Sequence, residues 1–405
     1  MATWRTFPWV AAAMVFSALV AVAHNETLWT QARSFFPWML RPIFHDWRVV
    51  QLGWWQTAAG LDPLAAADSP YNYPRLLLAG AHLGLQHVPV EVFCLTAAAL
   101  TLTALAFVLS RTDRITAVIG SLLLLSSPVL LLLERGNLDA WIVVLLVGGV
   151  YALTRESRPG LQAVGAAAVL LAAALKLYPA LLLIGGMAVW RGNRRRWLAL
   201  TLAGFVVMLV LNRADLGMIF KKTGRGLEAS YGWAITGSRY FLDLRRAGEA
   251  TERSDKSLAA LMNASLGIYA ALMTGSAVVG WTRRASFSDE GQDALSRVLF
   301  WTGALIYAGS FGLGANWSYR LVYLLFCIPW LGQAVRKPQI RIWAGMCLLL
   351  IGVTMLAPFQ LTAGWFYLVQ AGEWLLASLL FCGAVGVIFR DLGAEAVAGA
   401  DKVTD

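Results

Sequence analysis

Long apolar segments recur along the whole chain and constrain its fold more than any other feature of the sequence. A helix needs about 20 apolar residues to cross the hydrocarbon core of a bilayer, with roughly 17–25 tolerated. We predict membrane-spanning helices near residues 8–23, 88–110, 115–133, 138–153, 161–175, 177–190, 197–211, 257–281, 295–312, 319–334, 341–358 and 370–389. The pattern predicts an all-α polytopic membrane protein with about 11–13 transmembrane helices, forming a single integral membrane domain over residues 1–405.

The composition supports a membrane protein and argues against nucleic-acid binding. Hydrophobic residues make up 59% of the chain and charged residues only 14%, whereas soluble domains are about 45–50% apolar. The formal net charge is +10. In a membrane protein, basic residues mark cytoplasmic loops and contacts with anionic headgroups. We therefore expect membrane lipids as partners and no nucleic acid.

The basic short loops predict the orientation of the spans, because Lys and Arg collect on the cytoplasmic side. With the N-terminus inside, the cytoplasmic segments are 111–114, 155–158, 191–196, 283–284, 336–341 and the tail after 390. This assignment holds only if 161–190 crosses twice, with a break at 176–179, and Pro179 favours such a break. The sequence thus predicts a multi-pass protein of the cell membrane with both termini in the cytoplasm.

Two long segments then lie outside, 24–87 and 212–256. In the first, a helical stripe of Trp47, Val50, Trp54 and Ala58 predicts a juxtamembrane helix that lies in the interface. The run at 75–86 is helical in pattern but too short to span. It predicts a second juxtamembrane helix or a re-entrant one.

Motifs of soluble enzymes are missing from the sequence. It has no phosphate-binding glycine-rich loop after a strand, no HExxH, no GxSxG and no paired CxxC. The four cysteines lie inside apolar runs without metal-ligand spacing, so we interpret them as small hydrophobic residues. We expect neither a metal nor a cofactor.

Polar residues at the ends of several spans share the predicted outer side, and Asp46 is the acidic residue around which we place the chemistry. The other candidates are His45, Arg48, Tyr73, Arg75, Glu134, Arg135, Asn137, Lys176, Tyr178, Asn316, Tyr319 and Arg320. Any one of them alone is typical of a snorkelling anchor. One aspartate facing arginine and lysine side chains at one surface is what a reaction on an anionic lipid headgroup requires.

Short motifs follow one another along the chain in the order FHDWRVVQLGWW, DP, YNYPRLLL, ERGNLDAWIVVLLV, ALKLYPALLLI and GANWSYRLVYLLFCIP. This order resembles the multispanning GT-C-fold glycosyltransferases, most closely the polyprenol-phosphate-mannose-dependent transferases of glycosyltransferase family 87. The resemblance runs from about residue 8 to 335. The family usually has Tyr-Pro-Pro where this chain has Tyr73-Pro74-Arg75, and Gly-Gln-x-Asn where it has Arg135-Gly136-Asn137. These departures bear on the donor more than on the fold.

The resemblance implies a GT-C arrangement of helices and inverting transfer of a sugar, with mannose expected. The donor would be a polyprenyl-phosphate sugar and the acceptor a lipid or glycan on the extracytoplasmic face. Asp46 is the candidate general base, since a carboxylate that takes the acceptor's proton contributes about 10²–10⁴-fold. Arg75, Arg135, Lys176 and Arg320 are candidates to bind the donor phosphate.

Alternatives stay open at this point. Glu134 is a candidate second carboxylate, and a retaining double displacement would need one about 5 Å from the first. A lipid-linked polysaccharide ligase or polymerase also handles polyprenyl phosphates outside the membrane, although such enzymes tend to carry their large outer loop late in the chain. A lipid or solute transporter could use the broken helices around Lys176 as a midplane site. A non-catalytic membrane scaffold is a further alternative.

Overall fold

The structure is a computed structural model, and it consists almost entirely of helices. It describes residues 3–35, 39, 42–66, 68–155, 158–189, 192–222, 230–235, 238, 253–287, 293–313, 316–357 and 363–401. The chain divides into two compact units, Met1–Gly224 and Arg225–Asp405. The predicted single domain stays a prediction.

The first unit contains both long apolar helices and short helices of the predicted first outer loop. Its α-helices are α1 (Phe7–His24), α2 (Glu26–Phe35), α3 (His45–Ala58), α4 (Ala79–His82), α5 (Val90–Leu109), α6 (Arg114–Leu124), α7 (Ser127–Glu134), α8 (Asp139–Leu153), α9 (Pro159–Leu175), α10 (Ala180–Val189), α11 (Gly192–Leu211) and α12 (Arg213–Lys222). Short 3-10 helices cover Thr3–Thr6, Arg75–Leu78 and Leu85–His87.

The second unit combines long helices with one short two-stranded pairing. Its elements are β1 (Ser230–Tyr231), α13 (Arg253–Thr282), α14 (Ala294–Gly312), β2 (Asn316–Trp317), α15 (Ile328–Ala334), α16 (Arg341–Leu356) and α17 (Ala363–Asp401), with 3-10 helices at Arg284–Phe287 and Ser318–Phe326. The strands are antiparallel, with Ser230 opposite Trp317 and Tyr231 opposite Asn316.

The predicted second outer loop, 212–256, is described only in part. It begins with α12 and contains β1, and α13 starts within its last residues. Residues 223–229, 236–237 and 239–252 lie outside the described residues. The extent of this loop stays a prediction.

Among the described residues, four helices are long and apolar enough to cross a membrane, or up to six if each of two bent pairs is one span. The four are Thr3–His24, Val90–Leu109, Leu258–Thr282 and Trp365–Asp391, and the pairs are α6 with α7, bent by 47°, and the α11 and α12 regions, bent by 72°. The all-α polytopic class is thereby confirmed. Several other predicted spans coincide with shorter helices such as α8, α9 and α16, so the predicted number of about 11–13 stays a prediction.

The predicted break at 176–179 is present. Helix α9 ends at Leu175, Lys176 is extended with φ −149° and ψ 140°, and α10 begins at Ala180. Pro179 disfavours helical backbone at the residue before it, which helps to separate the two helices. The break places Lys176 and Tyr178 in a connection between apolar helices.

The helix predicted around Trp47 is present as α3. Trp47, Val50 and Trp54 are buried along one stripe, whereas the predicted fourth member, Ala58, is exposed because the helix ends there. The ring of Trp47 lies 5.3 Å from that of Phe93 at the start of α5. The position of α3 in the membrane interface stays a prediction.

The run at 75–86 is helical, as predicted, but irregular. A 3-10 turn from Arg75 leads into the single turn α4, and a second 3-10 turn follows Gly84, whose φ is +71°. The placement of this segment as a juxtamembrane or re-entrant helix stays a prediction.

Helices α8 and α9 approach closely where two small residues face each other. A Cβ added at Gly165 would lie 2.7 Å from the carbonyl oxygen of Gly149, and one at Gly149 would lie 3.1 Å from that of Gly165. Small residues allow helix backbones in membranes to come this near. The contact matters because Asp139 at the start of α8 and Lys176, directly after α9, are polar residues that lie close together.

We predict that Gly165→Ala destabilises the protein by about 1–3 kcal/mol, since the new methyl meets backbone and not a flexible side chain. The matched control is Gly148→Ala, because a Cβ there meets nothing within 4 Å. The control should unfold at the wild-type temperature or slightly above it, by helix propensity. Thermal unfolding in detergent measures both variants, and equal midpoints for the two would contradict this helix packing.

Candidate active site

The first residues of α3 are fixed by hydrogen bonds to the turn between α7 and α8. The amide of Phe44 donates to the carbonyl of Glu134 at 2.8 Å, and the amide of Asp46 donates to the carbonyl of Arg135 at 3.0 Å. Phe44 is fully buried and has φ 62°, a left-handed conformation that costs a residue with a Cβ about 1–2 kcal/mol. The two backbone hydrogen bonds and the burial hold Asp46 against the turn.

The turn itself depends on Gly136. Its φ is +59°, and a Cβ there would lie 2.5 Å from Sγ of Cys94 and 3.2 Å from Cβ of Phe44. Glycine therefore allows both the positive φ of the turn and the close approach of the residue before α3. Glu134, the predicted second carboxylate, is buried at the end of α7, and its role in catalysis stays a prediction.

The Asp46 carboxylate is bound by Arg135 and Asn137. Nε of Arg135 lies 3.0 Å from Oδ1 and 3.1 Å from Oδ2, and its Nη2 lies 2.5 Å from Oδ1. The amide of Asn137 donates to Oδ2. The side chains of Arg135 and Asp46 are only 10% and 9% exposed, so this is a buried, bidentate ion pair.

A second buried ion pair adjoins the first through Asn137. Nζ of Lys176 lies 3.0 Å from Oδ1 of Asn137 and 2.6 Å from Oδ1 of Asp139. The hydroxyl of Tyr178 donates to the same Asp139 oxygen at 2.7 Å. These contacts form a continuous polar chain of Arg135, Asp46, Asn137, Lys176, Asp139 and Tyr178, which we call the Asp46–Asp139 chain.

Five members of the Asp46–Asp139 chain were candidates from the sequence, and the structure brings them together. Asp139 was missed. It is the first residue of α8 and is fully buried. The sequence feature that could have identified it is an ionisable residue at the start of an apolar helix, two positions after Asn137. Such residues are expensive inside membranes and commonly functional.

Arg75 contacts two other carboxylates. Its Nη2 lies 2.7 Å from Oδ2 of Asp62, and its Nε lies 2.8 Å from Oδ2 of Asp215 in α12. The hydrogen bond to Asp62 has the largest effect in raising the pKa of Arg75, and the bond to Asp215 raises it further. The hydrogen bond from Arg75 in turn lowers the pKa of Asp62. The two carboxylates more than balance its single positive charge and favour a structural role that connects this segment to α12. The predicted contact of Arg75 with a phosphate stays a prediction.

Three other candidates come from the predicted first outer loop, and two of them, His45 and Arg48, belong to α3 itself. Arg48 donates to the carbonyl of Ile43 at 3.0 Å and pairs with Glu91 at 3.1 Å, which ties α3 to the start of α5. His45 is half-buried at the first residue of α3, and Tyr73 is buried. Their predicted contacts with substrate stay predictions.

The remaining candidates form a group within the second unit. Arg320 donates to Oδ1 of Asn316, whose amide donates to the carbonyl of Ser310. The buried ring of Tyr319 stacks on Trp317 with 6.5 Å between centroids. The predicted roles of Arg320, Asn316 and Tyr319 in binding the donor stay predictions.

In the described part of the chain, no group of three or more His, Cys, Asp or Glu side chains is placed to hold a metal ion. The expectation that the protein needs no metal or cofactor stays a prediction.

We predict that Arg135→Gln destabilises the protein by about 3–5 kcal/mol, because it leaves the buried Asp46 carboxylate uncompensated. The double variant Asp46→Asn with Arg135→Gln should be more stable than Arg135→Gln alone. Arg48→Gln is the matched control, since its ion pair with Glu91 is 39% and 36% exposed and such pairs contribute about 0–1 kcal/mol. Thermal unfolding provides the readout, and a double variant less stable than Arg135→Gln would exclude the buried pair.

Comparison with known proteins agrees with the resemblance carried by the motifs. The family model of glycosyltransferase family 87 matches residues 73–223, and no curated protein matches the chain. The matched range contains every member of the Asp46–Asp139 chain except Asp46, which precedes it. Over these residues the match supports the similarity of the chain to the GT-C-type glycosyltransferases of family 87.

Proposed function

We propose that the protein transfers a sugar, with mannose as the preferred candidate, from a polyprenyl-phosphate donor to a lipid or glycan acceptor at the extracytoplasmic face of the cell membrane. The family indicates a glycosyltransferase. The observation that supports the finer proposal is the Asp46–Asp139 chain, in which a carboxylate and two cations lie within a few ångströms of each other. A base and phosphate-binding groups are the two requirements of this reaction.

The leaving group determines what the cations do. A polyprenyl-phosphate sugar carries one negative charge on its phosphodiester, and a second develops on the leaving phosphate as the glycosidic bond breaks. Cations that point at the phosphate stabilise this transition state more than the ground state. The guanidinium of Arg135 matches two phosphate oxygens, and the ammonium of Lys176 supplies a second, compact charge.

Asp46 must become accessible before it can act as a base. Nε of Arg135 bonds both of its oxygens, Nη2 bonds Oδ1 and Asn137 bonds Oδ2, and a carboxylate has about four acceptor positions in all. We propose that the donor phosphate draws Arg135 away from Asp46. Arg135 then exchanges one anion for another, and the uncovered carboxylate accepts a hydrogen bond from the acceptor hydroxyl.

The transfer step then follows as a single displacement. The acceptor oxygen attacks the anomeric carbon on the face opposite the phosphate, its proton passes to Asp46, and the bond from the anomeric carbon to the phosphate oxygen breaks. The products are the inverted glycoside and polyprenyl phosphate. Asp139 accepts hydrogen bonds from Lys176 and Tyr178. This arrangement favours a supporting role for the Asp139 carboxylate over a role as nucleophile.

We predict that Asp46→Asn lowers the rate of sugar transfer by about 10²–10⁴-fold, the usual contribution of a general base. Asp68→Asn, an exposed aspartate of the same outer loop, is the matched control and should transfer at the wild-type rate. The assay uses purified protein with a panel of polyprenyl-phosphate sugars and polyprenyl-diphosphate oligosaccharides.

Three outcomes would contradict the proposal. Full activity of Asp46→Asn would exclude Asp46 as the general base. Activity with diphosphate-linked oligosaccharides alone would identify a ligase or polymerase. Absence of transfer, with movement of labelled lipid or solute across proteoliposome membranes, would identify a transporter.

A further inference from the structure

The geometry points to Asp139 as a positioning residue for the donor-binding lysine. We infer that the Asp139 carboxylate, together with Tyr178 and Asn137, fixes the ammonium of Lys176 where it can meet the donor phosphate. The inference rests on the proposed function. It assigns a role to the one member of the Asp46–Asp139 chain that the sequence patterns did not single out.

The hydrogen bonds around Asp139 set the direction of each group. Its Oδ1 accepts from both Lys176, at 2.6 Å, and Tyr178, at 2.7 Å. Its backbone amide donates to Oδ1 of Asn137 at 3.0 Å, so that oxygen accepts from Lys176 while the Asn137 amide group faces Asp46. Asp139 therefore bonds Lys176 directly and also fixes the side chain that links Lys176 to the base.

The ammonium of Lys176 needs partners that fix its position. It is a point charge on a flexible four-carbon stem, and Lys176 lies in the extended break between α9 and α10, where no helix fixes it. The side chain is only 14% exposed, and a buried ammonium is costly unless it is paired and hydrogen-bonded. The fully buried Asp139 carboxylate, on the first residue of α8, supplies this pairing.

The same carboxylate affects the affinity for the donor. Arg135 and Lys176 bring two positive charges, which Asp46 and Asp139 balance before any donor binds. An anionic donor therefore meets a site without net positive charge. Asp139 places Lys176 accurately but weakens the attraction of the site for a phosphate, so its removal should lower both kcat and the KM for the donor.

We predict that Asp139→Asn lowers kcat on the order of 10²-fold, because small misplacements of a positioned group cost about that much. The KM for the polyprenyl-phosphate donor should fall, since one negative charge is removed beside the phosphate site. Lys176→Gln should lower kcat and raise KM. If Asp139 acts through Lys176, adding Asp139→Asn to Lys176→Gln should cause no further loss of kcat.

Two further variants cover the case in which Asp139→Asn does not fold. Tyr178→Phe removes the second hydrogen bond to Oδ1 of Asp139 and should lower kcat less, at unchanged donor KM. Asp139→Glu keeps the charge and displaces the carboxylate, so kcat should fall without the fall in KM. Initial rates of transfer, measured with a labelled donor over a range of concentrations, give kcat and KM for each variant. The rates are corrected for the folded fraction of protein from size-exclusion chromatography.

The measurements separate this inference from the proposed function. If the wild-type protein transfers no sugar from any polyprenyl-phosphate donor, the proposed function fails and the inference falls with it. If the wild type transfers sugar but the losses from Lys176→Gln and Asp139→Asn multiply, Asp139 does not act through Lys176 and the inference alone is overturned. A higher donor KM in Asp139→Asn would overturn it too.

Discussion

The buried ion pair of Asp46 and Arg135 joins α3 to the turn between α7 and α8, and the geometry of the candidate site depends on it. Moving a carboxylate and a guanidinium out of water costs several kcal/mol for each ion, which their attraction recovers only with good geometry and further hydrogen bonds. Here the pair is bidentate and Asn137 adds another donor. A buried pair is weak evidence of stabilisation, so its value to the protein lies in what it positions.

The backbone around this pair shows how the position is maintained. Phe44 adopts a left-handed conformation that residues with a Cβ rarely take, and Gly136 adopts the same region in the facing turn. Strained residues of this kind concentrate at functional sites, where the surrounding structure holds them. In this protein the holding contacts are two backbone hydrogen bonds from α3 to the turn and the burial of Phe44 against Gly136.

Much of this arrangement could be predicted from the sequence because it follows from local rules. Pro179 and the parity of basic loops indicated the break that contains Lys176, and the tryptophan stripe indicated α3. Asp139 was not predicted because an aspartate at the first position of a helix is ordinary in a sequence, where it complements the helix dipole. The partners of Arg75 could not be predicted either, since Asp215 is 140 residues away in the chain and no local pattern encodes that contact.

The two cations of the candidate site differ in what holds them, and under the proposed mechanism this difference would give them separate tasks. Arg135 is held by Asp46, the proposed base, so in that mechanism this ion pair would open in each turnover. Lys176 is held by Asp139, which is the first residue of α8 and also accepts a hydrogen bond from Tyr178. In the proposed mechanism Arg135 would therefore exchange partners while Lys176 kept its own. A donor phosphate that recruited Arg135 while contacting Lys176 would couple its own binding to exposure of the base, so that Asp46 would stay covered until a donor was bound.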